Sequence, residues 1–150
     1  SRAFRAAFGE SPSQFRKRVN QTKEQKNMFQ PTITFVKIPV TDFNRATAYY
    51  RDVIGLEEEF AVEAYGWAQY KTGNIPLCLY VTGQGGGDGV PGHEAGFHLA
   101  VENIQEYFAA FQQRGGQFAS EIVGSADGGF FFMLQDPDGN RFKIVQQVAP

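Results

Sequence analysis

From Thr32 to Thr41 apolar and polar residues alternate. Val36, Ile38 and Val40 share one side, and Phe35, Lys37 and Pro39 the other, as a half-buried strand requires. The period then changes. Phe43, Ala46, Tyr49, Tyr50 and Val53 fall on one stripe of a helix, with Asp42 as cap and Gly55 as stop. The same pattern returns 61 positions later, where residues 97–116 align with residues 36–55 without a gap. Leu99, Ala100 and Val101 fall on Ile38, Pro39 and Val40, Asn103 on Asp42, Phe111 on Tyr50 and Gly116 on Gly55. Strand, cap, stripe and stop recur in one register, which marks an internal duplication.

Each copy continues with three further strands. The first set is predicted at Glu57–Glu63, Gly66–Lys71 and Ile75–Val81, with a Gly73-Asn74 turn before the last. The second copy opens on Ala95–Glu102, and Asn103 with Glu106 forms a capping-box-like start to the stripe Ile104, Tyr107, Phe108 and Phe111. Its closing strands are predicted at Gln117–Val123, Gly129–Gln135 and Arg141–Gln147, the last two joined by the tight turn Asp136-Pro137-Asp138-Gly139-Asn140. The order is βαβββ twice, an α+β fold, in modules of about 31–82 and 95–148. Between them Gly83–Gly92 reads GQGGGDGVPG, placed as a flexible linker or a lid, with the linker favoured.

Composition allows one domain with a substantial core, since 42% of the 150 residues are hydrophobic and 15% aromatic. No run reaches the roughly 18 apolar residues of a membrane span, and no membrane role is expected. The lone Cys78 excludes an internal disulfide and fits a reducing, cytoplasmic setting. Charge divides the chain: residues 1–30 carry seven Lys/Arg against two Glu, a net +5, and residues 31–150 seven against fourteen acidic groups, a net −7.

The basic opening predicts a helix stopped by Gly9 and a second helix begun by Ser11-Pro12. Phe4, Phe8 and Phe15 are its only large apolar anchors, too few for a separate core. Either it is a solvated basic tail, or it has a history. The words SRAFRAAFGESPSQFRKR resemble the end of an AraC-type helix-turn-helix domain. The helices that would complete that domain are absent from this sequence, so DNA is expected as a partner only through a complete helix-turn-helix that this chain lacks. Residues 1–30 are thus read as a remnant plus linker, and 31–150 as the second domain.

The duplicated βαβββ unit, with VTDFNRATAYYRDVIGL near its start and DPDGNRFKIVQ at its end, resembles the vicinal oxygen chelate superfamily of glyoxalases, extradiol dioxygenases and bleomycin-resistance proteins. The resemblance implies two paired modules whose curved sheets enclose a cavity, pairing within one chain or between two, and a homodimer is expected. Metal-using members carry His, Gln or Glu at four positions on the first and last strands. Carried over, these positions hold Phe35, Gly96, Lys143 and Cys78. Phe and Gly offer no donor, a charged lysine repels a cation, and one thiol does not hold zinc or iron. No metal or other cofactor is therefore expected, and no catalytic residue is assigned.

Alternation places Phe35, Lys37, Cys78, Tyr80, His98, Arg141 and Lys143 on the inward faces, with Trp67 as aromatic wall, and these eight are the candidate ligand-binding residues. Each has a plainer reading: ordinary core for Trp67 and for Phe130–Phe132, a solvated rim for Lys37 and Arg141. Lys143 between Phe142 and Ile144 calls for an anionic partner, from a ligand or from Glu59, Glu63 or Glu121. The expected function is metal-independent binding of a small, anionic and aromatic molecule, as the sensing part of a transcription regulator or as a sequestering protein. The alternative is a glyoxalase-like lyase or isomerase.

Overall fold

A computed structural model describes residues 9–148. The predicted first helix, with Phe4 and Phe8, lies outside the described residues. The chain divides after Ile33 into two units. In the first, helix α1 (Pro12–Phe29) begins with a complete capping box. The Ser11 hydroxyl accepts from Gln14 N at 3.3 Å, and the Gln14 side chain accepts from Ser11 N at 3.0 Å, satisfying two N–H groups that the first turn leaves without partners. Glu10 adds an ion pair to Arg18 at 2.8 Å.

The second unit holds both βαβββ modules. Module one comprises β1 (Val36–Val40), α2 (Phe43–Ala48), β2 (Glu57–Val62), β3 (Trp67–Lys71) and β4 (Leu77–Val81). Module two comprises β5 (Glu94–Val101), α3 (Ile104–Gln113), β6 (Gln117–Phe118), β7 (Val123–Ser125), β8 (Gly129–Gln135) and β9 (Arg141–Gln146). The sheets run β1-β4-β3-β2 and β5-β9-β8-β6, with β7 also on β8. The first strand of each module is thus a sheet edge, paired in parallel with the last.

Two departures from the predicted strands have local causes. Strand β1 begins at Val36, not Thr32, because the first ladder bond runs from Val36 N to Pro76 O at 3.0 Å, where β4 starts. The strand predicted over Gln117–Val123 is split. Ala119 N and Ser120 N both turn to Met133 O, and the Ser120 hydroxyl accepts from Met133 N at 2.9 Å, so a side chain replaces one rung of the ladder.

Helix α2 widens into a π-turn over Tyr49–Val53, closed by Ile54 N to Tyr49 O at 2.9 Å. The wider turn turns two consecutive side chains, Tyr49 and Tyr50, into the core. Tyr50 is fully buried, and its ring lies 6.2 Å from Tyr70 of the first sheet and 6.3 Å from Phe142 of the second. One helix therefore packs against both modules. Ile38, Leu79, Phe111, Phe132, Phe142 and Ile144 complete a shared core, with Val36, Leu99 and Val101 half-buried at its margin.

The modules are also joined by a buried polar network. Asp136, wholly inaccessible, accepts from the Tyr50 hydroxyl at 2.7 Å and from Asn140 Nδ2, Asn140 N and Asp138 N, each at 2.9 Å. Burial raises its carboxyl above the ordinary aspartate value, and these four donors act in the opposite direction. Asn140 Nδ2 also donates to Pro39 O at 2.8 Å, tying the turn of module two to the edge strand of module one.

Candidate functional site

Strand pairing gathers four of the eight predicted residues on one face of the first sheet, and a ring contact adds a fifth, Phe35. Lys37 stands beside Cys78 and Cys78 beside Gln69; Pro39, Tyr80 and Trp67 form the next row. Phe35 meets Trp67 edge to face at 5.3 Å. Cys78 is fully buried and donates to Gln69 Oε1 at 3.4 Å, and Gln69 Nε2 donates to Glu59 Oε2 at 2.9 Å. Burial, with the Glu59 charge second, pushes the thiol up to about 11, so Cys78 is protonated and enclosed rather than presented to a ligand.

The glycine-rich segment does more than connect the modules. It lies on this face, where Lys37 Nζ donates to Gly86 O at 2.7 Å and sits 4.9 Å over the Tyr80 ring. A Cβ at Gly86 would stand 2.6 Å from Tyr80 Cβ and 3.1 Å from the Trp67 ring, so only glycine allows so close an approach. Thr82 Oγ1 to Gly89 O at 2.8 Å and Gly83 N to Gly87 O at 2.9 Å hold the cover in place.

The other three predicted residues lie on the second sheet. His98, Lys143 and Met133 form one cross-strand row, and Arg141 stands between Glu94 and Gln135. Lys143 is half-buried with Nζ 4.5 Å over the Phe131 ring, and forms no ion pair among the described residues. Of the carboxylates considered for it, Glu59 accepts from Gln69 at 2.9 Å, Glu63 accepts from Asn44 at 3.3 Å, and Glu121 forms no ion pair with it among the described residues. His98 is exposed.

A cleft of about 490 Å³ opens where the edge strands β1 and β5 approach each other. Lys37, Pro39 and Tyr80 line one side, Glu94, Gly96 and Phe97 the other, and Val90 of the glycine-rich segment closes one end. Of the predicted residues, Lys37 and Tyr80 line this cleft; Trp67 lines a separate hollow with Phe60 and Tyr65. Glu94, Phe97 and Val90 were missed by alternation alone. Their signal was the duplication itself: in a βαβββ sheet the first strand is an edge, and two edges leave a gap to be lined.

The four positions at which the superfamily's metal users carry ligands do not fit a metal here. Phe35 is committed to Trp67, Gly96 has no side chain, Lys143 brings a cation, and Cys78 is held as a buried thiol. Among the described residues no group of three or more His, Cys, Asp or Glu is placed to hold a metal ion.

The duplicated modules, their strand order and the edge-strand cleft define a glyoxalase-like domain, and comparison with known proteins agrees. The chain belongs to the glyoxalase/bleomycin resistance protein/dioxygenase superfamily, whose model matches residues 32–144. A superfamily member from Sphaerobacter thermophilus has a similar structure, with a TM-score of 0.68 and 21% identity over 78% of this chain and 98% of that one. Lactoylglutathione lyase from Agrobacterium tumefaciens superposes with a TM-score of 0.64 and 20% identity, over 78% of this chain and 95% of the lyase. A glyoxalase/bleomycin resistance protein from Catenulispora acidiphila gives 0.59 and 22%, over 76% and 96%. At these identities the likeness is one of fold. No curated protein matches the chain.

Proposed function

We propose that this domain binds a small molecule without a metal, in the cleft between β1 and β5. The observation that carries this reading is the state of the four ligand positions, where Phe35, Gly96, Cys78 and Lys143 offer no donor set. The cleft wall is mainly apolar, through Val36, Ile38, Pro39, Val90 and Phe97. Lys37 spends one N–H on Gly86 O and keeps others for an anionic group on the ligand. Glu94 on the facing strand disfavours a second negative charge. The ligand class is therefore a monoanion with an apolar or aromatic body, and a lyase reading has only fold likeness behind it.

The biological setting follows from the opening segment. Its likeness to the end of an AraC-type domain favours a ligand-sensing part of a cytoplasmic, homodimeric transcription regulator, with sequestration of the ligand as the simpler role. The test is a thermal-shift panel of 2-naphthoate, 2-naphthamide and 2-naphthylmethylamine on wild type and Lys37→Met, with elemental analysis of the dialysed protein. Stabilisation by the acid that disappears in Lys37→Met is expected. An acid response unchanged in Lys37→Met would sink the anion site, and about one equivalent of tightly held metal would sink the metal-free reading.

A further inference from the structure

A parallel ladder uses the backbone of every second residue on an edge strand and turns the rest outward. Val36 N donates to Pro76 O at 3.0 Å and Thr82 N donates to Val40 O at 3.2 Å, so Val36, Ile38 and Val40 are the β1 residues bonded to β4. The backbone groups of Lys37, Pro39 and Thr41 face the other way, towards module two. There Asn140 Nδ2 donates to Pro39 O at 2.8 Å, and Thr41 N donates to Asp138 Oδ2 at 3.3 Å. Lys37 has no such partner. Neither its N–H nor its C=O makes a hydrogen bond among the described residues.

The facing strand has the same gap for a different reason. From the pair Glu94–Arg141 to the pair His98–Lys143, four steps along β5 match two along β9, so β5 bulges at Ala95–Phe97. Gly96 stands in the bulge without a cross-strand partner, and its N–H and C=O make no hydrogen bond among the described residues. It is exposed, and a Cβ there would meet nothing within 4 Å. β1 and β5 belong to different sheets, yet Lys37 and Gly96 line one cleft of about 490 Å³. The cleft also holds an unsatisfied side chain. Tyr80 is only 6% exposed, and its hydroxyl has no hydrogen-bond partner among the described residues. That hydroxyl lies against Gly89, where a Cβ would collide with it and come within 3.5 Å of Pro39; both neighbours line the cleft.

We propose that the ligand of this cleft is a short, extended peptide with a free C-terminal carboxylate and apolar side chains, bound as an added strand. The proposal rests on the reading of the cleft as a monoanion site and names the molecule that carries the anion. Unpaired strand edges accept a further strand, because buried backbone groups need partners. Main-chain groups of the peptide pair with the N–H and C=O of Lys37 on one side and of Gly96 on the other. Its carboxylate accepts from Lys37 Nζ and from the Tyr80 hydroxyl. An apolar side chain covers Val90, which is 69% exposed at one end of the cleft, and Phe97. A rigid aromatic acid meets only the ammonium and the apolar wall, since it has no main chain for the edges.

The test is calorimetry and amide hydrogen exchange by NMR on the full chain, titrated with N-acetyl-Val-Thr-Phe. Its C-terminal amide and the same peptide methylated on the central amide nitrogen are the controls, with 2-naphthoate alongside. Saturable binding of the acid is expected, with slowed exchange at the Lys37 and Gly96 amides. Methylation should weaken binding about fivefold, the loss of one neutral hydrogen bond, and amidation about tenfold, the loss of one to a charged group. Tyr80→Phe should weaken the acid about fivefold. Lys37→Met should abolish the preference for acid over amide and keep the effect of methylation, which separates side chain from main chain. The proposal is overturned if the acid does not saturate, if the methylated peptide binds as tightly, or if exchange at Lys37 and Gly96 is unchanged. Should 2-naphthoate bind through Lys37 while the peptide fails, the peptide is refuted and the anion site stands; failure of both refutes the anion site too. Protection of Lys37 that grows with protein concentration alone also overturns the proposal, because a second copy then occupies the edge.

Discussion

Replacing Tyr50 by Phe isolates the link between the two modules. The Tyr50 ring is fully buried between Tyr70 and Phe142, and Phe fills the same space without its hydroxyl, so no cavity forms. What is lost is one donor to the Asp136 carboxylate at 2.7 Å. A hydrogen bond to a charged group contributes about 1.5–3 kcal/mol, and the remaining donors Asn140 Nδ2, Asp138 N and Asn140 N do not replace it. The expected destabilisation at pH 7 is about 2 kcal/mol, a fall in melting temperature of roughly 8 °C. The sign of the pH dependence follows from Asp136. Its folded carboxyl is raised above the unfolded value by burial, so its ionisation costs stability, and that cost appears as pH rises through the folded value. Removing the Tyr50 donor raises the carboxyl further. The gap between variant and wild type should therefore be widest at neutral pH and shrink as acid protonates Asp136 in both. Chemical denaturation of both proteins at several pH values, with unchanged m, measures this. A loss below about 0.5 kcal/mol, or a loss that does not vary with pH, would refute the argument.

Three further outcomes are expected. Gly86→Ala drives a methyl into Tyr80 and lifts the glycine-rich cover, costing about 1–3 kcal/mol and shifting the emission of Trp67, the sole tryptophan; an unchanged spectrum and midpoint would contradict the packing. Cys78, buried with its thiol pushed up to about 11, should react with a thiol reagent only at the rate of unfolding, checked by labelling with and without denaturant. The chain should hold duplex DNA weakly and without sequence preference through the +5 charge of residues 1–30, and release it in moderate salt; salt-resistant, sequence-specific binding in a mobility-shift assay would contradict this.

The sequence by itself determined the modules. Val36, Ile38 and Val40 recur as Phe97, Leu99 and Val101, and the stripe through Tyr50 recurs through Phe111, because side-chain period is a local property that one strand or helix carries alone. It also determined which residues share a face: Lys37 with Cys78 and Tyr80, His98 with Lys143. Tertiary structure decided what covers those faces. Alternation puts Cys78 and Lys37 on the same side, yet the first is sealed and the second lines a cleft, because that depends on Phe35, Trp67 and a segment folded back from residues 83–92. The cleft is decided in the same way. It lies between strands distant in sequence, in modules held together by a buried Asp136 reaching Tyr50, 86 residues away, and by the Tyr107 hydroxyl donating to Ile54 O at 2.6 Å. Local period assigns a side chain its face; only long-range packing assigns that face a neighbour.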